Sequence, residues 1–419
     1  MNSQGSVGVN MTVDSDVPAA PPEREPIALQ VPLWDWPEPE RPAPPVIPPA
    51  AIATAADTDS APIAPDATPI APAVVDTVPV VAEALEVVAR SLQRLADVET
   101  RPVLDAVSPP FRLRSFGETG MQIFPLVLSG GTFGWTAGTD ATRGILDAYA
   151  DAGGNAIDTA DSYAAGRSEV LIGTWLREKR NRDEIILSTK VALSDDEPGL
   201  SAGAITRAVD ASLTRLGTGH IDVLYFHADD RDVPLEESLT AAEALIRAGK
   251  VRELAAVGYT AERLMEARVV AGQLTLPRFA GVQVPYNLLA RTEFEKSLSP
   301  VVGAQGLAVL PHTVLGGGFL SGKYRGRRSE KAALPPSRRD EMACHLNRRG
   351  LRVLDALDEI ASDRGLASAT IALAWLMTKP LVTAPLVSVS APEQVDALVK
   401  AAGVRLSRAE VVALDRASA

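Results

Sequence analysis

Six polar side chains recur at one kind of place in this sequence, at or just past the end of a short apolar run. Asp158 closes "NAID", Tyr163 follows it in "TADSYAAG", Lys190 closes "IILSTK" and His227 closes "VLYFH". Gln283 in "AGVQV" and His312 in "LAVLPH" are placed in the same way. Each has an ordinary explanation when taken singly. An aspartate ahead of a helix usually caps it, and Asp158 or Asp161 is placed to do so. A lysine after a strand reaches water along its flexible stem. Jointly the ordinary explanations weaken, because only four histidines are present and two of them sit at this edge.

The chemistry that such a set supports is delivery of a proton to a carbonyl oxygen. A phenol titrates near pH 10, and an adjacent ammonium favours its ionised form. Lys190 is the candidate ammonium for Tyr163, and Asp158 the carboxylate that keeps the lysine charged and aimed. A histidine beside the phenol hydrogen-bonds the acceptor oxygen or relays the proton.

Elements that bring these residues together follow from the apolar periodicity. Eight strand-like runs, "PLVLSG", "NAIDT", "EIILSTK", "IDVLYFH", "VRELAAV", "AGVQV", "LAVLPH" and "APLVSV", alternate with amphipathic helical segments, several ended by glycine. Eight such units predict an α/β fold, a closed parallel (β/α)8 TIM barrel, in which catalytic side chains come from the C-terminal ends of the strands. An open doubly wound sheet is the alternative, but no GxGxxG follows the first strand. Ahead of the first unit, "FRLRSF" and "MQIFP" around "GETG" read as an N-terminal hairpin that plugs the bottom of the barrel.

The 419 residues therefore divide into a tail at 1–77, an amphipathic helix and linker at 78–110, and a barrel at 111–419. Half of the 32 prolines fall in the Pro/Ala-rich tail, a composition that predicts disorder. Its Trp34 and Trp36 are either stray aromatics or a docking motif. Val81, Leu85, Val88, Leu92 and Leu95 form one apolar stripe within residues 79–99. That stripe is suited to packing on the barrel, to self-association or to binding a protein partner.

A net charge of −12 and the lack of basic runs interleaved with aromatics argue against nucleic acid. The sequence has neither an 18-residue apolar run nor a secretory signal, so no membrane span and a cytoplasmic location are expected. The single cysteine, Cys344, rules out an intramolecular disulfide and a cysteine metal site, and no metal is expected.

With these residues in view, the sequence resembles the aldo-keto reductases from about residue 111 to 418. The resemblance is carried by "IDTADSYAAGRSEVLIGTWL", "LSTKV", "ASLTRLGTGHIDVLYFHADD", "PLEESLTAAEALIRAGKVR", "VQVPYNLLAR" and "GGFLSGKYR". It is stronger to the branch holding potassium-channel β subunits and bacterial sugar-type enzymes than to the steroid-type branch. The resemblance implies a catalytic tetrad of Asp158, Tyr163, Lys190 and His227, and NAD(P)H-dependent reduction of an aldehyde or ketone. It implies NADP(H) lying extended over the barrel mouth, held by Gly130, Gly131, Gln283, His312, Leu315, Lys323, Ser388, Ser390 and Gln394.

Against the family pattern, Val257 and Gly258 stand for a Ser-Asn pair that holds the carboxamide, and His312 for a stacking aromatic. Ser388 stands for a glycine, and Ala397 and Leu398 for a Glu-Asn pair that meets adenine. Charge for a 2′-phosphate would come from Lys323 and one of Arg325, Arg327, Arg338 or Arg339, in a loop suited to closing over a ligand. Those departures keep two alternatives open, a non-redox acid/base enzyme (dehydratase, isomerase or cyclase) and a regulatory binding subunit. Ala228, where many relatives are bulkier, predicts a roomy mouth. Trp135, Phe133 and Tyr286 are candidate apolar walls or core residues.

Overall fold

A computed structural model of the chain describes residues 111–322 and 344–419. The tail at 1–77, the segment at 78–110 with its 79–99 stripe, and the loop carrying Lys323, Arg325, Arg327, Arg338 and Arg339 lie outside those residues.

Two short antiparallel strands, β1 (Arg114–Ser115) and β2 (Gln122–Ile123), open the described chain. Eight strands follow in one sheet. They are β3 (Val127–Ser129), β4 (Ala156–Asp158), β5 (Ile186–Val191), β6 (Ile221–Phe226), β7 (Val251–Val257), β8 (Phe279–Pro285), β9 (Ala308–His312) and β10 (Leu386–Val387). All neighbours in the ladder run parallel, in chain order from β3 to β9, with β10 beside β3. The circle closes through Val309 of β9. Its carbonyl accepts the Thr383 amide at 2.8 Å, and its own amide donates to Thr383 Oγ1 at 3.0 Å. Every expected barrel strand is present in the expected order.

Between the strands run α1 (Thr139–Asp151), α2 (Arg167–Lys179), α3 (Ala202–Leu216), α4 (Leu235–Arg247), α5 (Ala261–Leu274) and α6 (Ser299–Gln305). Four more follow, α7 (Arg348–Arg364), α8 (Ser368–Met377), α9 (Glu393–Val399) and α10 (Arg408–Ser418). The local sequence explains their ends. In α3 the Ser201 hydroxyl accepts the Ala204 amide, and Gly217 closes the helix in the left-handed region at φ 63°. Its buried stripe of Ala204, Ile205, Ala208, Val209, Ser212 and Leu216 has the helical period and faces the sheet. Ser407 and Glu410 make a reciprocal capping box at α10.

Two apolar layers result. The larger lies between helices and sheet; the smaller fills the barrel with Val127, Ala156, Val223, Tyr225, Ala255, Leu310 and Leu386. Phe116 and Ile123 of the hairpin belong to that inner cluster, so the hairpin plugs the barrel as its sequence predicts. The plug fits closely. Gly117 turns at φ 55°, and a Cβ there would come within 2.5 Å of the Ala280 carbonyl oxygen. Among the described residues no helix is long and apolar enough to cross a membrane.

Candidate active site

Side chains on a strand alternate between faces, so the inner cluster fixes which residues point into the barrel. Val223 and Tyr225 are inward on β6, which places His227 inward two residues later. Ala156 and Asp158 share the inward face of β4. Register completes the picture, for Asp158 lies opposite Ser129 and Ser188, and Lys190 opposite Tyr225. Asp158 and Lys190 are at most 1% exposed.

Lys190 is the hub. Its ammonium donates to Asp158 Oδ2, to the Thr159 carbonyl at 2.8 Å and to Tyr163 Oη at 3.2 Å. Those three bonds use its three protons. Asp158 Oδ1 accepts from Ser188 Oγ and Gln283 Nε2, each at 2.8 Å. Burial alone lowers the Lys190 pKa, but the Asp158 carboxylate and the Tyr163 phenol outweigh it and the net shift is upward. The lysine is therefore an ammonium at neutral pH. Because it donates to the phenol oxygen, the phenol's own proton is left free for another acceptor.

The His227 ring meets the Tyr163 ring edge-on at 5.8 Å. Burial pushes the His227 pKa well below 6.5, and Lys190 and His312 push it the same way. His312 falls to about 4 through burial and Lys190. Both imidazoles are neutral at working pH, and His227 Nδ1 is buried without a hydrogen-bond partner. Neutral histidines position an oxygen. The remaining proton donor of the set is Tyr163.

The loop that carries Tyr163 is held under backbone strain. Ala164 and Ala165 have φ of 51° and 52°, followed by Gly166 at 80°, which is the N-cap of α2. Neither Asp158 nor Asp161 caps that helix.

The chain's matches to known proteins agree with this geometry. The family model described as the Aldo/keto reductase family matches residues 127–419. The chain belongs to the aldo/keto reductase family. Norsolorinic acid reductase stcV of Emericella nidulans is 30% identical over 314 residues, 71% of this chain and 78% of that protein. The uncharacterized oxidoreductase YrpG of Bacillus subtilis is 30% identical, covering 70% of this chain and 91% of its own length. A probable voltage-gated potassium channel subunit beta of Arabidopsis thaliana is 29% identical with the same coverages. This aldo/keto reductase is thus an oxidoreductase of that type.

Around the hub of this aldo/keto reductase lies a support that sequence reading passed over. Ser168 and Glu169, in the first turn of α2, are both fully buried. Glu169 accepts from Thr189 Oγ1 and Arg215 Nε, each at 2.6 Å, and Ser168 Oγ donates to the Gly130 carbonyl at 2.9 Å. A Cβ at Gly130 would come within 2.5 Å of Ser168 Oγ, so packing demands the glycine. Beside them Asp161 is 3% exposed, and neither of its carboxylate oxygens has a hydrogen-bond partner. Burial and then Glu169 raise its pKa to about 7. The only sequence signal for this cluster is a glutamate and a serine on the inward side of the first turn of α2.

A dinucleotide fits the described mouth in part. Gly131 lies where Ser129, Ser388 and Tyr163 converge; a Cβ on it would stand 3.5 to 3.7 Å from all three side chains. Ser388 and Ser390 are exposed, and Gln394 Oε1 accepts the Ser390 amide at 2.9 Å, leaving its amide protons available. Gln283 has committed an amide proton to Asp158, which leaves its carbonyl oxygen uncommitted. Leu315 packs on the outer apolar layer, and Val257 and Gly258 offer no polar side-chain atom. Phe133 and Tyr286 are core residues rather than walls, at most 1% exposed, whereas Trp135 is 40% exposed.

Proposed function

We propose that this aldo/keto reductase reduces an aldehyde or ketone to an alcohol with Tyr163 as general acid. The reading is carried by one observation, the Lys190 ammonium that joins Asp158 to the Tyr163 oxygen at the barrel mouth. NAD(P)H, when bound, supplies the hydride to the carbonyl carbon. Tyr163 gives its proton to the carbonyl oxygen as charge develops there, and Lys190 stabilises the phenolate that is left. Asp158 keeps Lys190 charged and fixed, supported by Ser188 and Gln283. Neutral His227 orients the substrate oxygen. Solvent restores the Tyr163 proton after release.

Gln283, His312, Leu315, Ser388, Ser390 and Gln394 are the residues proposed to hold the dinucleotide, with Gly130 and Gly131 lining its path. A norsolorinic acid reductase among the relatives is consistent with a reductive activity, and Ala228 beside His227 with a roomy substrate site. The potassium-channel β relatives keep a protein partner in view, with residues 79–99 as its proposed surface.

Titration of the purified chain with NADPH and NADH, followed by cofactor fluorescence, tests the redox half. Saturable binding of either below millimolar concentration is expected. Failure of both at near-millimolar concentration sinks the reductase reading in favour of a non-redox acid/base enzyme, a second reading favoured by apolar Val257 and Gly258 where polar contacts are usual. Tyr163→Phe is expected to lower carbonyl reduction about 10²- to 10⁴-fold with cofactor affinity nearly unchanged. Retained turnover would remove Tyr163 from its role.

A further inference from the structure

At the end of the barrel opposite Tyr163, three guanidinium groups share one cleft. Arg114 of β1, its neighbour Arg112, and Arg405 ahead of α10 line a space of about 440 Å³ between the hairpin and the loop joining α8 to β10. Such a volume falls in the range of small-molecule sites. Pro380, Leu381 and Ala402 give the cleft an apolar wall.

Ordinary structural duties leave most of these charges unused. Arg114 spends two of its five N–H donors on the carbonyls of Val382, at 3.0 Å, and Met377, at 3.3 Å. That anchors the plug and fixes the guanidinium in the cleft. Among the described residues neither Arg112 nor Arg405 has a hydrogen bond or an ion pair, and no carboxylate lines the cleft. Burial, followed by the charge of Arg405, depresses the Arg114 pKa, so Arg114 and Arg405 feel one another. In a chain of net charge −12 three unneutralised arginines in one concavity run against the mean field. An oxyanion would relieve their repulsion, and guanidinium forks match phosphate and carboxylate geometry bidentately.

From the cleft, its three arginines and its apolar wall we infer that this chain carries a second binding site, at the bottom of the barrel, for a small phosphate-bearing ligand. Arg114 is the fixed member; Arg112 and Arg405 close on the oxyanion from the exposed sides. The Leu381 and Ala402 wall accepts an organic body. This site is separate from the dinucleotide path and independent of the catalytic reading.

Calorimetry on the full chain, with inorganic phosphate and with phenyl phosphate at constant ionic strength set by chloride, tests it. Arg112→Gln/Arg405→Gln is the informative variant, because both side chains are exposed and hold nothing else in place. Phosphate is expected to bind and to raise the melting temperature of the wild type, and the double variant to bind at least 10-fold more weakly with an unchanged circular dichroism spectrum. Tighter binding of phenyl phosphate assigns the site to an organic phosphate; equal binding assigns it to the free ion. Phosphate stabilisation no greater than that of chloride, or equal in wild type and double variant, overturns the proposal.

Discussion

Asp158 and Asp222 are buried carboxylates at opposite ends of the barrel, and they are built almost alike. Each is at most 1% exposed and is met by three donors. Asp222 accepts the Leu187 amide at 2.9 Å, Arg182 at 2.8 Å and Arg252 at 2.7 Å. Asp158 accepts Ser188, Gln283 and Lys190. Satisfaction of the carboxylate does not tell them apart. What differs is what lies beyond the donor: Arg252 leads to solvent and Arg182 ends on the Ile185 and His220 carbonyls, whereas Lys190 leads on to the Tyr163 oxygen and leaves the phenol proton unused. A buried ion pair marks a site when one partner continues into a group with something left to give.

That distinction can be broken by substitution. Asp158→Asn is expected to cost about 10²- to 10⁴-fold in carbonyl reduction, because Lys190 loses its fixed counter-charge. Asp222→Ala is expected to destabilise by about 3 to 5 kcal/mol in urea unfolding, leaving two arginines unpaired, while turnover changes only a few-fold. If turnover falls equally in both, the difference between the two ends is illusory.

Asp161 sharpens the comparison, being a further buried carboxylate and one whose oxygens have no hydrogen-bond partner. Below about pH 4 it is protonated in the folded and unfolded chains alike and costs nothing. As pH rises from 4 to 7 the unfolded chain releases its proton first, so stability falls, and above pH 7 the loss is complete. Asp161→Asn is therefore expected to raise stability by about 1 to 3 kcal/mol at pH 8 and by little at pH 4. A pH-independent difference in melting would show that its carboxylate is solvated. The smallest expected effect lies in the strained turn. Ala165→Gly, exposed and at φ 52°, is expected to stabilise by about 0.5 to 1 kcal/mol. A destabilisation there would mean that glycine's entropy outweighs the strain.

The barrel strands were legible because their runs are short, apolar and bounded by helical segments. Asp158, Tyr163, Lys190 and His227 were legible because strand ends face one mouth, and the structure brings them together as the spacing implies. Pairing across the barrel was not. Gln283 and Asp158 are 125 residues apart, and nothing local says that an amide expected to meet a cofactor also braces a carboxylate. The inward turn of Ser168 and Glu169 was hidden for a similar reason, since polar residues opening a helix ordinarily face water. Phe133 and Tyr286 show the converse, for both aromatics are buried wholly in the outer core.

The closure at Val309 gives the barrel a seam. Five residue pairs register β6 with β7, whereas the circle between β9 and β10 depends on one residue of β9 and the segment just ahead of β10. Amide protons at Thr383 and Val309 are therefore expected to exchange with deuterium sooner than those of β6, since opening there severs the fewest bonds. The ring behaves as a clasp bracelet, and its clasp adjoins Val382, the residue that Arg114 grips from the arginine cleft. A ligand that tightens the grip of Arg114 would slow the breathing of the whole circle from the end farthest from the chemistry.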